Sequence, residues 1–309
     1  MSGLLDDFRS EFNKPNNTLV QLILVNVFVF LVLLLAKVGL AMTQHDVYYG
    51  LLLEQLTMPA PIITFLRHPW TLVSYFFTHE DVFHILFNML TLYWFGRLID
   101  EYLGNRRLVG LYVVGGMAGG LLYLFMYNLV PYYHDQIAGV RMLGASAAGL
   151  AVAVGAATLL PNYTFHLLFV GPVKIKYIVL FFVIMSIARS VGENAGGNLA
   201  HLGGAALGFL YIKFLQNGTD IGRPVYWLMD GWQNLTNPRP PVKVSYRQRS
   251  TTSTSQSNNA SYVSPLSSSA SSISMPDQDE VDAILDKISK SGYESLTREE
   301  KQKLFRASQ

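Results

Sequence analysis

The sequence predicts an all-α, polytopic membrane protein built on a six-transmembrane-helix bundle. Half of its 309 residues are hydrophobic and only 14% are charged, whereas soluble chains average roughly 25% charged. The charge deficit is concentrated in residues 18–216, which resolve into apolar runs. A bilayer core of about 30 Å needs ~20 helical residues. Lipid admits only helices or closed barrels, and these runs lack strand alternation.

The first span, Thr18 to Met42, follows a charged stretch and has no small-residue cleavage site. It therefore reads as a retained helix, not a signal peptide. Residues 43–81 form a long first loop rich in Leu, Phe, Trp and Pro, suited to the membrane interface. Span two, Val82 to Leu98, opens with His84 and Asn88, one turn apart. Span three runs from Leu108 to Val130. Span four, Ala145 to Leu160, is short and is stopped by Pro161. Span five covers Lys176 to Ile187, extended to about Val191, and span six covers Leu199 to Leu215.

Beyond the core, residues 217–244 form an interfacial segment. In it Val225, Leu228, Met229, Trp232 and Leu235 recur at helical spacing. Residues 245–275 are mostly Ser, Thr, Asn and Gln and read as a disordered linker. Residues 276–309 recover helical pattern. Asp277 with Glu280 and Thr297 with Glu300 make capping boxes, and Gly292 offers a stop. That small helical tail has too little core to be an enzyme and suits docking to an unknown cytoplasmic partner.

Basic residues set the orientation. With the N-terminus (residues 1–17) inside, the inner segments hold Arg9, Lys14, Arg97, Arg106, Arg107, Lys174, Lys176, Lys213 and Arg223. The outer segments hold Arg67, Arg141 and Arg189, with Lys37 near an outer end. Both termini are thus expected in the cytoplasm. The net charge of +2 gives no indication of nucleic-acid binding, and the absence of cysteine excludes disulfides and a thiol nucleophile.

On this topology spans two, four and six run from outside to inside. His84, Ser146 and His201 each lie near the outer head of one of them, within a few Å of one depth at ~1.5 Å per residue. Span four from Ser146 to Leu160 is only ~22 Å long, so its N-terminus must be sunk below the outer surface. Irregular backbone at that depth needs protein or a water-filled cavity around it. The expectation is a recessed aqueous pocket with a serine at its floor.

Gly144 and Ala145 leave room around the serine. Ala145, Gly149 and Ala153 form a small-residue stripe, and Gly204 and Gly208 form another below His201. Close approach of spans four and six brings the imidazole within reach of the Ser146 hydroxyl as general base. The helix N-terminus, His84 and Asn88 supply donors for an oxyanion. No Asp or Glu lies in the spans near His201, so the pair is a dyad. His79 reads as a loop-positioning residue.

These residues resemble the three signatures of rhomboid intramembrane serine proteases. The segments are His84-Ile85-Leu86-Phe87-Asn88, Gly144-Ala145-Ser146-Ala147, and Ala200-His201-Leu202-Gly203-Gly204 with Gly208. The stretch from His68-Pro69-Trp70 to His79 is similar to the family's first-loop segment, and the resemblance covers about residues 60–216. It implies a rhomboid-like six-helix core with a catalytic Ser146–His201 dyad and an oxyanion hole of His84, Asn88 and the Ser146 N–H. It also implies cleavage of transmembrane protein substrates near their outer ends, in a bacterial inner membrane, without metal or cofactor. The tail from Asp279 to Ser308 resembles a short domain appended to some bacterial rhomboids.

Two positions depart from the family pattern. Ala147 stands where Gly is usual, placing a methyl beside the oxyanion site. Leu150 replaces an aromatic that packs on the histidine, so His201 must be held by other contacts. The alternative reading is a rhomboid-like pseudoprotease that binds transmembrane helices for trafficking or quality control, but that class usually lacks the Ser or the His. A transporter would show inverted repeats and midplane charges, and neither is present.

Overall fold

The computed structural model describes residues 17–168, 170–192, 194–236, 278–291, 295–297, 299–300 and 304. The chain divides into two compact units, Met1–Val242 and Lys243–Gln309.

In the first unit the elements run as follows: α1 Thr18–Met42, α2 Asp46–Leu56, β1 Met58–Pro59, α3 Ile62–Arg67, α4 Thr71–Ser74 and a 3-10 turn Tyr75–Phe77. Next come α5 Val82–Leu103, α6 Asn105–Leu129, α7 Pro131–His134, β2 Arg141–Met142 and α8 Ser146–Leu159. The unit closes with β3 Thr164–Leu167, β4 Gly171–Lys174, α9 Ile175–Ala188, α10 Ala195–Gln216 and α11 Arg223–Thr236. Among the described residues three helices, α1, α5 and α6, are long and apolar enough to cross a membrane, and α8 and α9 are shorter apolar helices. Phe28, Leu35, Leu180, Phe181 and Ile184 are more than half exposed. So much outward-facing apolar surface on α1 and α9 suits hydrocarbon rather than water.

The interior lies where α10 packs on α8 and α6. Small residues set that packing. A methyl added to Gly204 would overlap the Ala147 carbonyl, with its carbon at 2.9 Å. One added to Gly208 would meet the Ala151 carbonyl carbon at the same 2.9 Å. The row facing α10 is therefore Ala147–Ala151, not the expected Ala145–Gly149–Ala153. Gly149 faces Thr91 of α5 instead, because a two-residue offset on a helix turns a side chain by roughly 200°.

Buried polar groups tie the periphery to this core. Asn26 of α1 donates to the Tyr112 hydroxyl at 3.2 Å, and Tyr112 donates to the Phe76 carbonyl at 3.1 Å. Tyr75 donates to the Gly116 carbonyl at 2.6 Å. These interhelical hydrogen bonds fasten the first loop and α1 to α6.

The structure corrects three details expected from the sequence. Helix α9 ends at Ala188, so the extension to Val191 is not helical. Helix α10 begins at Ala195, so His201 lies two turns inside it and not three residues in. The polar turn Gly196-Gly197-Asn198 conceals that start from a hydropathy reading, and left-handed Asn194 (φ 55°) precedes it. The third is the small-residue row on α8. The fold is mostly helical as expected, with two short ladders beside the helices: β1 pairs antiparallel with β2, and β3 with β4.

In the second unit α12 spans Gln278–Ser291. Thr297 N–H donates to Glu300 Oε2 at 2.7 Å and Glu300 N–H donates to Thr297 Oγ1 at 3.3 Å. That is the reciprocal capping box read from the sequence. Asp277, Gly292 and the linker 245–275 lie outside the described residues.

Candidate active site

Four side chains singled out in the sequence open on one cavity of about 480 Å³: His84, Asn88, Ser146 and His201. A second cavity of about 220 Å³ shares Asn88, Ser146 and His201 and continues past Leu150, Met185 and Ser186. Among the described residues no carboxylate lines either one. A larger cavity, about 920 Å³, lies between Arg106, Arg107, Arg223 and Asp220 at the α5–α6 turn. It holds an Arg107–Asp220 ion pair and, among the described residues, no serine or histidine. That turn is some 20 residues beyond His84 along α5, about 30 Å away.

Each group is placed by its local sequence. Ser146 is the first residue of α8, where N–H groups lack intrahelical partners. Gly144 has φ 113°, and a Cβ there would meet His84 Nε2 at 2.7 Å and Cε1 at 2.6 Å. Glycine thus serves both the turn and the close passage of the imidazole past the backbone. His84 sits third in α5, its N–H accepted by the N-cap Asp81 at 2.8 Å. Asn88 follows one turn later and is buried.

His79 joins these pieces. Its Nε2 accepts Asn88 Nδ2 at 3.0 Å and the Ala145 N–H at 3.2 Å. Two donors converge on that nitrogen, so the neutral ring carries its proton on Nδ1. Burial, reinforced by the nearby His84, lowers the His79 pKa to about 4, with the Phe77 backbone opposing. A neutral, fully buried ring is thus the pin between α5 and the turn preceding Ser146, consistent with a loop-positioning role.

The Ala147 methyl is directed at Gly119 of α6, where an added Cβ would meet it at 2.6 Å. Neither of the two cavities that share Ser146 and His201 is lined by Ala147. The extra methyl of Ala147 is accommodated by a glycine on the neighbouring helix. Ser186 Oγ lies 3.1 Å from His201 Nδ1. Sequence reasoning missed it, because one hydroxyl in an otherwise apolar helix breaks no pattern.

Fold and site together define a helical membrane protein with a serine and a histidine opening on a shared polar pocket. Residues 66–217 match the family model described as Rhomboid domain. Residues 275–309 match one described as Family of unknown function (DUF6576). RHOMBOID-like protein 12, mitochondrial, of Arabidopsis thaliana is 35% identical over 157 residues, 48% of this chain and 47% of that protein. Rhomboid protein 1, mitochondrial, of Saccharomyces cerevisiae is 32% identical over 48% of this chain and 42% of that protein. Rhomboid protease GlpG of Haemophilus influenzae is 25% identical over 46% of this chain and 67% of that protein. The chain thus spans about half or less of the mitochondrial relatives it matches.

Proposed function

We propose that this protein is a rhomboid intramembrane serine endopeptidase, cleaving transmembrane segments of membrane proteins near their outer ends. The observation that carries the reading is the cavity shared by Ser146, His201, His84 and Asn88. The similarity of residues 66–217 to rhomboid domains supports it.

In the reaction the Ser146 oxygen attacks the scissile carbonyl while its proton passes to His201 Nε2. The carbonyl oxygen becomes an oxyanion beside the Ser146 N–H, His84 and Asn88, donors set in place before the charge develops. The imidazolium then protonates the departing amine, and water repeats the sequence on the acyl-enzyme. The dyad chemistry needs no metal or cofactor. Ser146 Oγ makes no hydrogen bond among the described residues, and catalytic bonds commonly tighten only once substrate binds.

In this reading α1, α5, α6, α8, α9 and α10 are the six spans, and both termini lie in the cytoplasm of a cell with this inner membrane. Helices α8 and α9, of 14 residues each, cover only ~21 Å of a ~30 Å core. The head of α8 therefore sits below the outer surface. The test is fluorophosphonate labelling and turnover of a transmembrane substrate by solubilised protein. Ser146→Ala and His201→Ala should each abolish cleavage, and the double variant should be no worse. Ordinary turnover by Ser146→Ala would end the proposal, and substrate binding without cleavage by the unaltered protein would support a pseudoprotease instead.

A further inference from the structure

We infer that Ser186 is a positioning residue for His201, fixing the tautomer that leaves Nε2 free to take the Ser146 proton. The inference rests on the serine–histidine reading above. Ser186 Oγ donates to the Phe182 carbonyl at 2.9 Å, the back-bonding common for serine in apolar helices. A hydroxyl has one proton. With that proton committed to Phe182, Oγ faces His201 Nδ1 at 3.1 Å as an acceptor. Nδ1 therefore carries the hydrogen, and the neutral ring keeps its lone pair on Nε2.

The surroundings give this contact its weight. Ser186 is 4% exposed, so bulk water does not compete for it. Among the described residues the two cavities offer His201 no carboxylate, and Leu150 offers it no hydrogen bond. The contact is also braced from both sides. Asn198 of α10 donates to the Arg189 carbonyl just beyond α9 at 2.9 Å. Tyr133 donates to the Ser190 carbonyl at 3.0 Å. The end of α9 is thus clamped beside His201.

Through the reaction the balance is simple. The Ser146 proton moves to Nε2 as the Oγ–carbon bond forms, giving an imidazolium whose Nδ1–H still points at Ser186 Oγ. The same proton leaves Nε2 with the amine as the C–N bond breaks. Ser186 remains a neutral hydroxyl throughout.

Two measurements test this. Nitrogen-15 NMR of histidine-labelled protein in micelles, with His201 assigned by difference from His201→Ala, reads the tautomer directly. The inference expects Nδ1 protonated and Nε2 bare in the unaltered protein, with a tautomer mixture in Ser186→Ala. Kinetics on a transmembrane substrate should show kcat about 10-fold lower in Ser186→Ala, the loss expected for one neutral hydrogen bond, at unchanged KM. The pH profile should shift, and Ser186→Thr, which keeps the hydroxyl, should restore the rate.

An unaltered protein with its proton on Nε2 would overturn the inference whatever the variants do. So would a Ser186→Ala protein with unchanged kcat and tautomer. Absence of cleavage by the unaltered protein would instead sink the protease reading, while the NMR result still decides the role of Ser186.

Discussion

Substituting Gly204 with alanine probes the helix contact that sets the distance between Ser146 and His201, the nucleophile and base of the proposed mechanism. The new methyl would lie within the van der Waals envelope of the Ala147 carbonyl, its carbon at 2.9 Å. Nonbonded carbons rest at about 3.5–4.0 Å, so α8 and α10 must part by roughly 1 Å. Neither side of the contact is the end of a flexible side chain, so the backbones themselves have to move. Ala147 is bonded to Ser146, and Gly204 lies one turn after His201, so the displacement passes directly to the proposed dyad. A misplacement of about 1 Å can cost on the order of 10²-fold in rate, and overpacking typically destabilises by about 1–3 kcal/mol. Gly204→Ala should therefore lower kcat by about 100-fold and reduce Tm measurably. Gly39→Ala, where nothing lies within 4 Å, serves as the control and should match the unaltered protein. Turnover of a fluorogenic transmembrane substrate in proteoliposomes, with Tm on the same preparation, makes the comparison. Unchanged kcat and Tm in Gly204→Ala would refute the argument that this contact sets the site.

Other outcomes follow from the same geometry. In the proposed mechanism Asn88→Ala and His84→Ala each remove one of several oxyanion donors and should reduce kcat by roughly 10²-fold; a lowered Tm with intact kcat would make them structural only. His79 has a folded pKa of about 4, below the 6.5 of the unfolded chain. Its stability contribution is therefore complete above pH 6.5 and lost as pH falls toward 4. Thermal unfolding of the unaltered protein should thus show a steeper loss across that window than His79→Gln, by at most about 1.4 kcal/mol per pH unit; parallel curves would contradict it. Truncation after residue 245 removes most of the second unit and should leave turnover of a model substrate unchanged; an inactive but folded truncated protein would overturn this.

The residues that line the shared cavity were legible because they are rare in their surroundings. A histidine, an asparagine and a serine at the heads of apolar helices stand out against a background of Leu, Val and Phe. Helix lengths were equally readable where hydropathy was continuous, as in α1, which matches the expected span residue for residue. Boundaries failed where polar residues are helical, as at the start of α10. Pairing details failed for a different reason. Which small residues of α8 face α10 depends on helix rotation, and two interleaved stripes in Ser146-Ala-Ala-Gly-Leu-Ala-Val-Ala look alike until a partner chooses one. Ser186 was invisible because its role depends on which way a neighbouring imidazole points.

The short β1–β2 ladder has a dynamic consequence. Ala60 N–H donates to the Val140 carbonyl at 3.0 Å, Gly144 N–H donates to the Tyr75 carbonyl at 2.9 Å, and Arg141 Nη1 reaches the Glu54 carbonyl at 2.9 Å. These bonds stitch the first loop to the segment that delivers Ser146, so neither strip can open alone. The two should exchange their amide hydrogens as one cooperative unit. Deuterium uptake at Ala60 and Gly144 would then rise together, and the free energy of that joint opening would cap how often the serine leaves its seat.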